Sequence, residues 1–316
     1  MPKTHSIVTI TMNPALDLAC TVENFSIGAV NRVSRAQTDA GGKGVNIAKL
    51  LRQFHVPVVA TGFLGDVNPH LFELLFREQN ITDAFVRVPG ETRTDIKVLD
   101  PTTQTTTDIN FPGLNPTQNH IDRLFKMVET LAQNASTVAI AGSIPAGLSP
   151  HIVAELVSML RTCGVRTVVD TSGPAFLHAV KAIPSLIKPN AFELSEYLGR
   201  PVNTPLEIVT EARGLVATGI ETVVVSLGED GALFINEQEA LWAKPPRVDV
   251  VSTVGAGDAM VSGLCAGIAL GKSLAESARL ATSLSAAVVT QPGPSLSNLD
   301  LAASFESQVT VQSLDF

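Results

Sequence analysis

The strongest chemical signal in the chain is Ser252-Thr-Val-Gly255-Ala256-Gly257-Asp258, followed by the apolar run AMVSGLCAGIALG. Small residues in a turn at a helix start let several backbone N–H groups converge on one point. The helix dipole adds partial positive charge there, and together these make an anion site. Asp258 stands at that start as an acceptor-only carboxylate, placed to take a proton from a substrate hydroxyl. A helix cap is an equally ordinary role for Asp, and the motif alone leaves both open. A second signal is Gly41-Gly42-Lys43-Gly44-Val45-Asn46. Glycines allow a ligand close to the backbone, Lys43 supplies a point charge for a phosphate, and Asn46 offers donor and acceptor to sugar hydroxyls. Taken alone, a plain glycine turn before a helix explains it more simply.

Weaker signals are spread along the chain. Asp17, in NPALD, is a charged residue just after a short β-branched run. Glu91-Thr-Arg93-Thr-Asp95-Ile-Lys97 is an unusually charged piece of a β-rich stretch, which by itself reads as a solvated edge. Asp170 (in VVDTSG) and Glu193 (in IKPNAFEL) fall at or just beyond the C-terminal ends of predicted strands. Ligands of open α/β sheets bind outside those ends, and a carboxylate pair there could orient Mg²⁺ through waters. Ala266-Gly-Ile-Ala-Leu-Gly271-Lys272-Ser273 imitates a P-loop. That motif needs a strand before it and a helix after it, whereas this segment ends an apolar helix, with Gly271 as a natural C-cap. The third glycine of a dinucleotide fingerprint is also missing, since Met260 stands there.

Alternating elements must position these residues. Strand-like runs are expected at 7–12, 56–62, 136–142, 166–170, 185–190, 221–228 and 232–235, with another near Leu241. Helical patterns follow the glycine turn and recur at 69–79, 118–133, 150–163, from 192, at 205–218, after Gly257 and at 275–289. Repeated βα units call for a mostly parallel sheet with helices on both faces. Alternating segments at 16–22 and 29–37, and Thr- and Val-rich pieces between 85 and 111, do not fit that sheet and suggest hairpins. They read as two excursions building a small β-lid on one main domain.

Composition agrees with this picture. Of 316 residues, 45% are hydrophobic and 16% charged, enough apolar content for a large core and too little charge for a disordered chain. A net charge of −8 argues against non-specific nucleic-acid binding. It leaves phosphate ligands open, because a few local cations and amides hold those. Cys20, Cys163 and Cys265 are scattered and odd in number, which suggests reduced thiols and neither a disulfide framework nor a zinc site. No secretory pattern opens the chain, and the run 254–270 carries Asp258 and several glycines, so a buried helix and a cytoplasmic protein with no membrane partner are expected.

In their order and spacing, AGGKGVN, IKPNAFEL, VVVSLGEDGALF and STVGAGDAM resemble the motifs of the ribokinase-like carbohydrate kinases. The similarity runs through nearly the whole chain. NPALDL, DINFPG, AGSIPAG and KPPRVDVV point to the phosphofructokinase-like branch of that family. The resemblance implies a three-layer α/β sandwich with a mostly parallel central sheet: one kinase domain over 1–316, with a discontinuous β-lid from about 12–38 and 86–112. It implies ATP-dependent phosphorylation of fructose 1-phosphate at its C6 hydroxyl. Kinases for tagatose 6-phosphate or fructose 6-phosphate share much of the pattern, and a catalytically silent sugar-phosphate sensor is the reading from another class.

By the same resemblance Asp258 is the base, and the amides of Gly255, Ala256 and Gly257 hold the transferred phosphoryl group. Asp17, Gly42, Lys43 and Asn46 hold the sugar, and Arg93, Lys43 and Ser143 its phosphate. Lys188, Asn190, Glu193, Ser226, Gly228, Gly231 and Val254 line the nucleotide, with Asp170 and Glu193 near Mg²⁺ through water. Ser252-Thr253 stands where many relatives have Asp-Thr, which leaves a monovalent cation site open. Asp95 places a second carboxylate beside the expected phosphate, unfavourable unless it points away. Lids of this kind often pair between subunits, so a homodimer is expected.

Overall fold

The computed structural model describes residues 6–314. Strand β1 (Ser6–Thr11) leads into β2 (Ala15–Thr21) and β3 (Arg35–Gly41). Helix α1 (Lys43–Gln53), strand β4 (Val58–Gly65) and helix α2 (His70–Glu78) come next. Four strands follow: β5 (Thr82–Asp83), β6 (Val86–Val88), β7 (Thr94–Asp100) and β8 (Thr105–Ile109). Regular alternation then takes over with α3 (Gln118–Ala132), β9 (Ala135–Ala141), α4 (Ile152–Thr162), β10 (Arg166–Asp170), α5 (Gly173–Lys181) and β11 (Leu186–Ile187). After α6 (Ala191–Leu198) and α7 (Pro205–Ala217) come β12 (Thr222–Ser226), β13 (Ala232–Ile235) and β14 (Ala240–Lys244). The chain closes with α8 (Ala256–Ala269), α9 (Leu274–Val288), α10 (Asp300–Glu306) and β15 (Thr310–Ser313).

Eleven strands form one sheet in the order β15-β14-β13-β12-β11-β10-β9-β1-β4-β5, with β6 also on β4. Pairing is parallel from β12 through β5 and antiparallel at the β13–β15 edge. Strand alternation sends successive side chains to opposite faces. Thus Val168, Val224 and Phe234 join α1, α2, α8, α9 and α10 in one core, while Val169, Val225 and Leu233 join α3 to α7 in the other. This is the expected three-layer sandwich.

A second sheet, β3-β2-β7-β8, has four strands. Asp17, Asp95 and Lys97 lie on its face toward the cleft. Its other face carries only a small cluster of Cys20, Val22 and Val98 with Leu18, Phe25 and Ile96.

Three expectations need correction. Of the segment expected as a strand at 29–37 only the end is one: Val30 and Val33 are exposed coil, and β3 starts at Arg35, in register with Thr21. Residues 86–88 pair in parallel with β4 of the large sheet, outside the excursion assigned to them. Helix α5 was hidden by Gly173-Pro174, which reads as a turn but is here a helix start, with Ser172 as N-cap and proline in the first turn. Helix α10 and strand β15, on the sheet edge, also lie beyond what periodicity indicates. The 254–270 run is a helix buried from Asp258 to Gly267, and the P-loop imitation is its C-terminal end. Among the described residues no helix is long and apolar enough to cross a membrane. All three cysteines are free.

Candidate active site

A cavity of about 510 Å³ opens at the C-terminal ends of the parallel strands, beneath the four-stranded sheet. A larger depression of about 900 Å³ lies at the N-terminal ends of β10 and β12, around Arg166, Arg213 and Glu221. None of the motif residues line it, so the smaller cavity is the one that matters for chemistry.

The cavity floor is the start of α8. Gly255 is its N-cap in the left-handed region (φ 85°), and a Cβ there would run into Pro294. Glycine is therefore demanded both by the turn and by the neighbour. The first-turn amides of a helix lack intrahelical acceptors, so this start presents donors to the cavity. That of Ala256 is engaged with Thr253 O by a long 3.4 Å bond. Asp258, also in this turn, is 6% exposed, and Asn46 Nδ2 donates to its Oδ2 at 2.8 Å. Burial pushes the Asp258 carboxyl up to about 6, with Asp170 adding to the rise and Lys43, Asn46 and Lys188 opposing it. A cap would bond its own helix amides; this carboxylate faces α1 across the cavity.

Beside it sits a cluster of charges. Asp170, at the end of β10, is 1% exposed and lies between Lys43 Nζ (3.2 Å) and Lys188 Nζ (3.3 Å). Burial works against ionisation of Asp170, but the ammonium groups of Lys188 and Lys43 outweigh it and hold the carboxyl below its ordinary range. Lys43 is shifted up, chiefly by Asp170 and against its own burial. Asp170 thus holds two ammonium groups side by side at the cavity wall, near the α8 turn. Lys188 Nζ lies close to Gly257 of that turn.

Asn190 and Glu193 close the next side. They form a reciprocal capping box at the start of α6: Glu193 N donates to Asn190 Oδ1, and Asn190 N donates to Glu193 Oε2, both at 2.8 Å. Ser226, at the end of β12, connects this wall to an adjoining depression of about 590 Å³ lined by Phe192, Leu227, Gly228 and Trp242.

The four-stranded sheet supplies the roof. Arg93 donates from Nε to Pro14 O, from Nη1 to Phe111 O and from Nη2 to Asn13 O, and pairs with Asp95 at 3.2 Å. Asp95 does not point away from the cavity; Arg93 and the Phe111 amide (2.9 Å) hold it. Ser143 Oγ accepts from Asn13 Nδ2. Asp17 Oδ1 is 3.0 Å from Lys97 Nζ.

The residues at 6–301 match the description "pfkB family carbohydrate kinase". The chain belongs to this family. It is 44% identical over 313 residues to a 1-phosphofructokinase of Rhodobacter capsulatus, covering 98% of this chain and 99% of the relative. A 1-phosphofructokinase of Vibrio cholerae is 40% identical, with 98% of each chain covered. Among solved structures, phosphofructokinase-2 from Escherichia coli in complex with substrates and products superposes with a TM-score of 0.91 at 28% identity, over 96% of this chain and 98% of that one.

Within this pfkB kinase the structure brings most of the expected site residues to one cavity: Asp17, Gly42, Lys43, Asn46, Arg93 and Ser143 from the N-terminal half and lid, and Asp170, Lys188, Asn190, Glu193, Ser226, Val254, Gly255, Gly257 and Asp258 from the rest. Gly228 lines the adjoining depression. Gly231 instead packs against the Ala243 carbonyl, where a side chain would not fit. Asn13, Lys97 and Ser172 also line the cavity and were missed. Strand alternation could have found Lys97, since Arg93, Asp95 and Lys97 are two residues apart on one face.

Proposed function

We propose that the chain transfers the γ-phosphoryl group of ATP to the C6 hydroxyl of fructose 1-phosphate, giving fructose 1,6-bisphosphate and ADP. The observation that carries this reading is Asp258: a buried carboxylate, raised to about 6, on the anion-binding start of α8 and bonded to Asn46. The identity to curated 1-phosphofructokinases supports the choice of sugar.

Asp17 and Asn46 orient the sugar, leaving its C6 hydroxyl at Asp258. As the C6 oxygen bonds to the γ-phosphorus and the bond to the β–γ bridging oxygen breaks, Asp258 takes the hydroxyl proton and ADP leaves with the bridging oxygen. Amides of the Gly255–Gly257 turn and the Lys188 ammonium group stabilise charge on the transferred group, the kind of preorganised contribution worth roughly 3 kcal/mol per donor. Asn190, Glu193 and Ser226 border the phosphates, and the Gly228 depression takes the rest of the nucleotide. Arg93, Lys43 and Ser143 bound the sugar's own phosphate.

Magnesium fits this site only through water. Both oxygens of Asp170 face lysines and one oxygen of Glu193 is in the capping box, so no full ligand cage exists. The described residues contain no group of three metal-ligating side chains. Magnesium keeps several waters and binds through phosphates, and it would supply charge neutralisation there. Glu193, with its second oxygen, is the residue to hold that water shell.

The four-stranded sheet acts as a lid that excludes water from the transfer. The coil leading into its β3 edge exposes Ile27, Val30 and Val33, and its β8 edge exposes Ile109 and Phe111, apolar side chains that a homodimer formed through the lids would cover. Phosphofructokinase-2 of E. coli has a tetrameric inhibited form.

Coupled ADP release with fructose 1-phosphate, fructose 6-phosphate and tagatose 6-phosphate tests the reading. Fructose 1-phosphate should give the highest kcat/KM; a clear win for either other sugar would overturn the substrate assignment. Ligand-induced thermal stabilisation with no turnover would favour the silent sensor.

A further inference from the structure

Lys97 has no role in the reaction as derived above, yet its side chain lines the cavity and is paired there with a carboxylate. It lies on β7, the strand that joins the two halves of the small sheet, in register with Ala19 of β2. Its neighbours Ile96 and Val98 turn to the apolar face with Leu18 and Cys20, so Lys97 turns to the cleft. There its ammonium meets Asp17 at 3.0 Å, with the two side chains 19% and 18% exposed.

Asp17 is gripped from the other side as well. A Cβ added at Gly41 would collide with Asp17 Oδ2, so this carboxylate oxygen rests against bare backbone while its partner oxygen faces Lys97. The carboxylate is thus fixed on both flanks before any sugar arrives. A half-buried ion pair in an open cleft adds little to the stability of a fold, because desolvation and solvent screening offset the attraction. Joining β2 to β7 therefore does not account for it. An ammonium also has three N–H donors, and the Asp17 contact uses one.

We propose that Lys97 is a substrate-positioning residue: it sets the orientation of Asp17 and directs its remaining N–H groups to oxygens of the bound sugar phosphate. The inference rests on the kinase reading above and deepens it. Uncharged sugars lack the anionic oxygens that make this contact strong, so Lys97 selects for a sugar that already carries a phosphate.

The test uses Lys97→Met and Lys97→Arg in the full-length enzyme, with KM for ATP and for whichever sugar phosphate is preferred measured separately. Lys97→Met should raise the sugar-phosphate KM by about tenfold or more, the scale of one charged hydrogen bond. The ATP KM should stay within about twofold, the scale of a surface change. Lys97→Arg, which keeps the charge, should recover part of the loss. Thermal stabilisation by the sugar phosphate alone should shrink in Lys97→Met, which reads binding without turnover. A sugar-phosphate KM unchanged in Lys97→Met, or equal rises in both KM values, would overturn the proposal and make the pair purely structural. Should Lys97→Met fail to fold, Lys97→Gln, which keeps a polar head without the charge, carries the same comparison. A different preferred sugar would overturn the substrate assignment without touching this result.

Discussion

The two sheets of this molecule are built for different work. The large sheet is apolar on both faces and sealed between helices, whereas the small one has a thin apolar cluster on one side and a row of charges on the other. Close packing makes the first a rigid frame, since cores of native density resist displacement. From its strand ends come the groups that must not move: Asp170, Lys188, and the α8 turn with Asp258. The second sheet has few buried contacts and carries groups that, on the proposed reading, meet the ligand: Asp17, Arg93 and Lys97. Regions of low local stability are the ones that open and close over ligands. Chemistry thus belongs to the frame and recognition to the cover, and substitutions should separate accordingly.

Asp258→Asn should have the largest effect, lowering kcat by roughly 10²–10⁴, the range for loss of a general base. Its melting temperature should hold or rise. Burial raises the carboxyl from 3.8 to about 6, so the ionised form above that pH is held at a cost of about 3 kcal/mol that asparagine removes. Asp170→Asn comes next: it leaves Lys188, only 5% exposed, without its counter-charge, and should destabilise the protein by about 3–5 kcal/mol in a urea titration. On the small sheet, Arg93→Lys keeps the charge but gives up the fork that reaches three backbone carbonyls. Steady-state kinetics should show a sugar-phosphate KM raised about tenfold, with a stability loss of about 1–2 kcal/mol from the forfeited backbone bonds, less than that of Asp170→Asn. If Arg93→Lys lowered stability as much as Asp170→Asn, the division between frame and cover would fail. The smallest effect is expected from Ile27→Asp with Phe111→Asp, which should shift sedimentation toward monomer and move stability within about 0.5 kcal/mol.

Much of the frame was legible because its signals are local. Pattern 118–133 became α3 and 205–218 became α7, since apolar periodicity and capping residues act over one helix. The GAGD and GGKG turns were legible for the same reason, because glycine at such spacing answers a backbone demand. What escaped depends on distant partners. The capture of Asp170 by Lys43, 127 positions away, cannot be read from either segment. Nor can the pairing of Asn46 with Asp258 across 212 positions, which tells a base from a cap. The coil before β3 reads as a strand only by its valines: Val30 and Val33 stand three positions apart, off a strand's period of two, and their exposed side chains answer no core of their own chain.

The central claim is that a buried, frame-held Asp258 takes the substrate proton, and its pH dependence tests this most directly. The carboxylate must be ionised to act, and burial has moved its titration up from 3.8 to about 6. In kcat/KM measured from pH 4.5 to 8, activity should be level at the upper end. Below about 6 it should fall by about tenfold per pH unit. A profile that stays level down to pH 4.5, as an ordinary carboxylate titrating near 4 would give, would contradict the account.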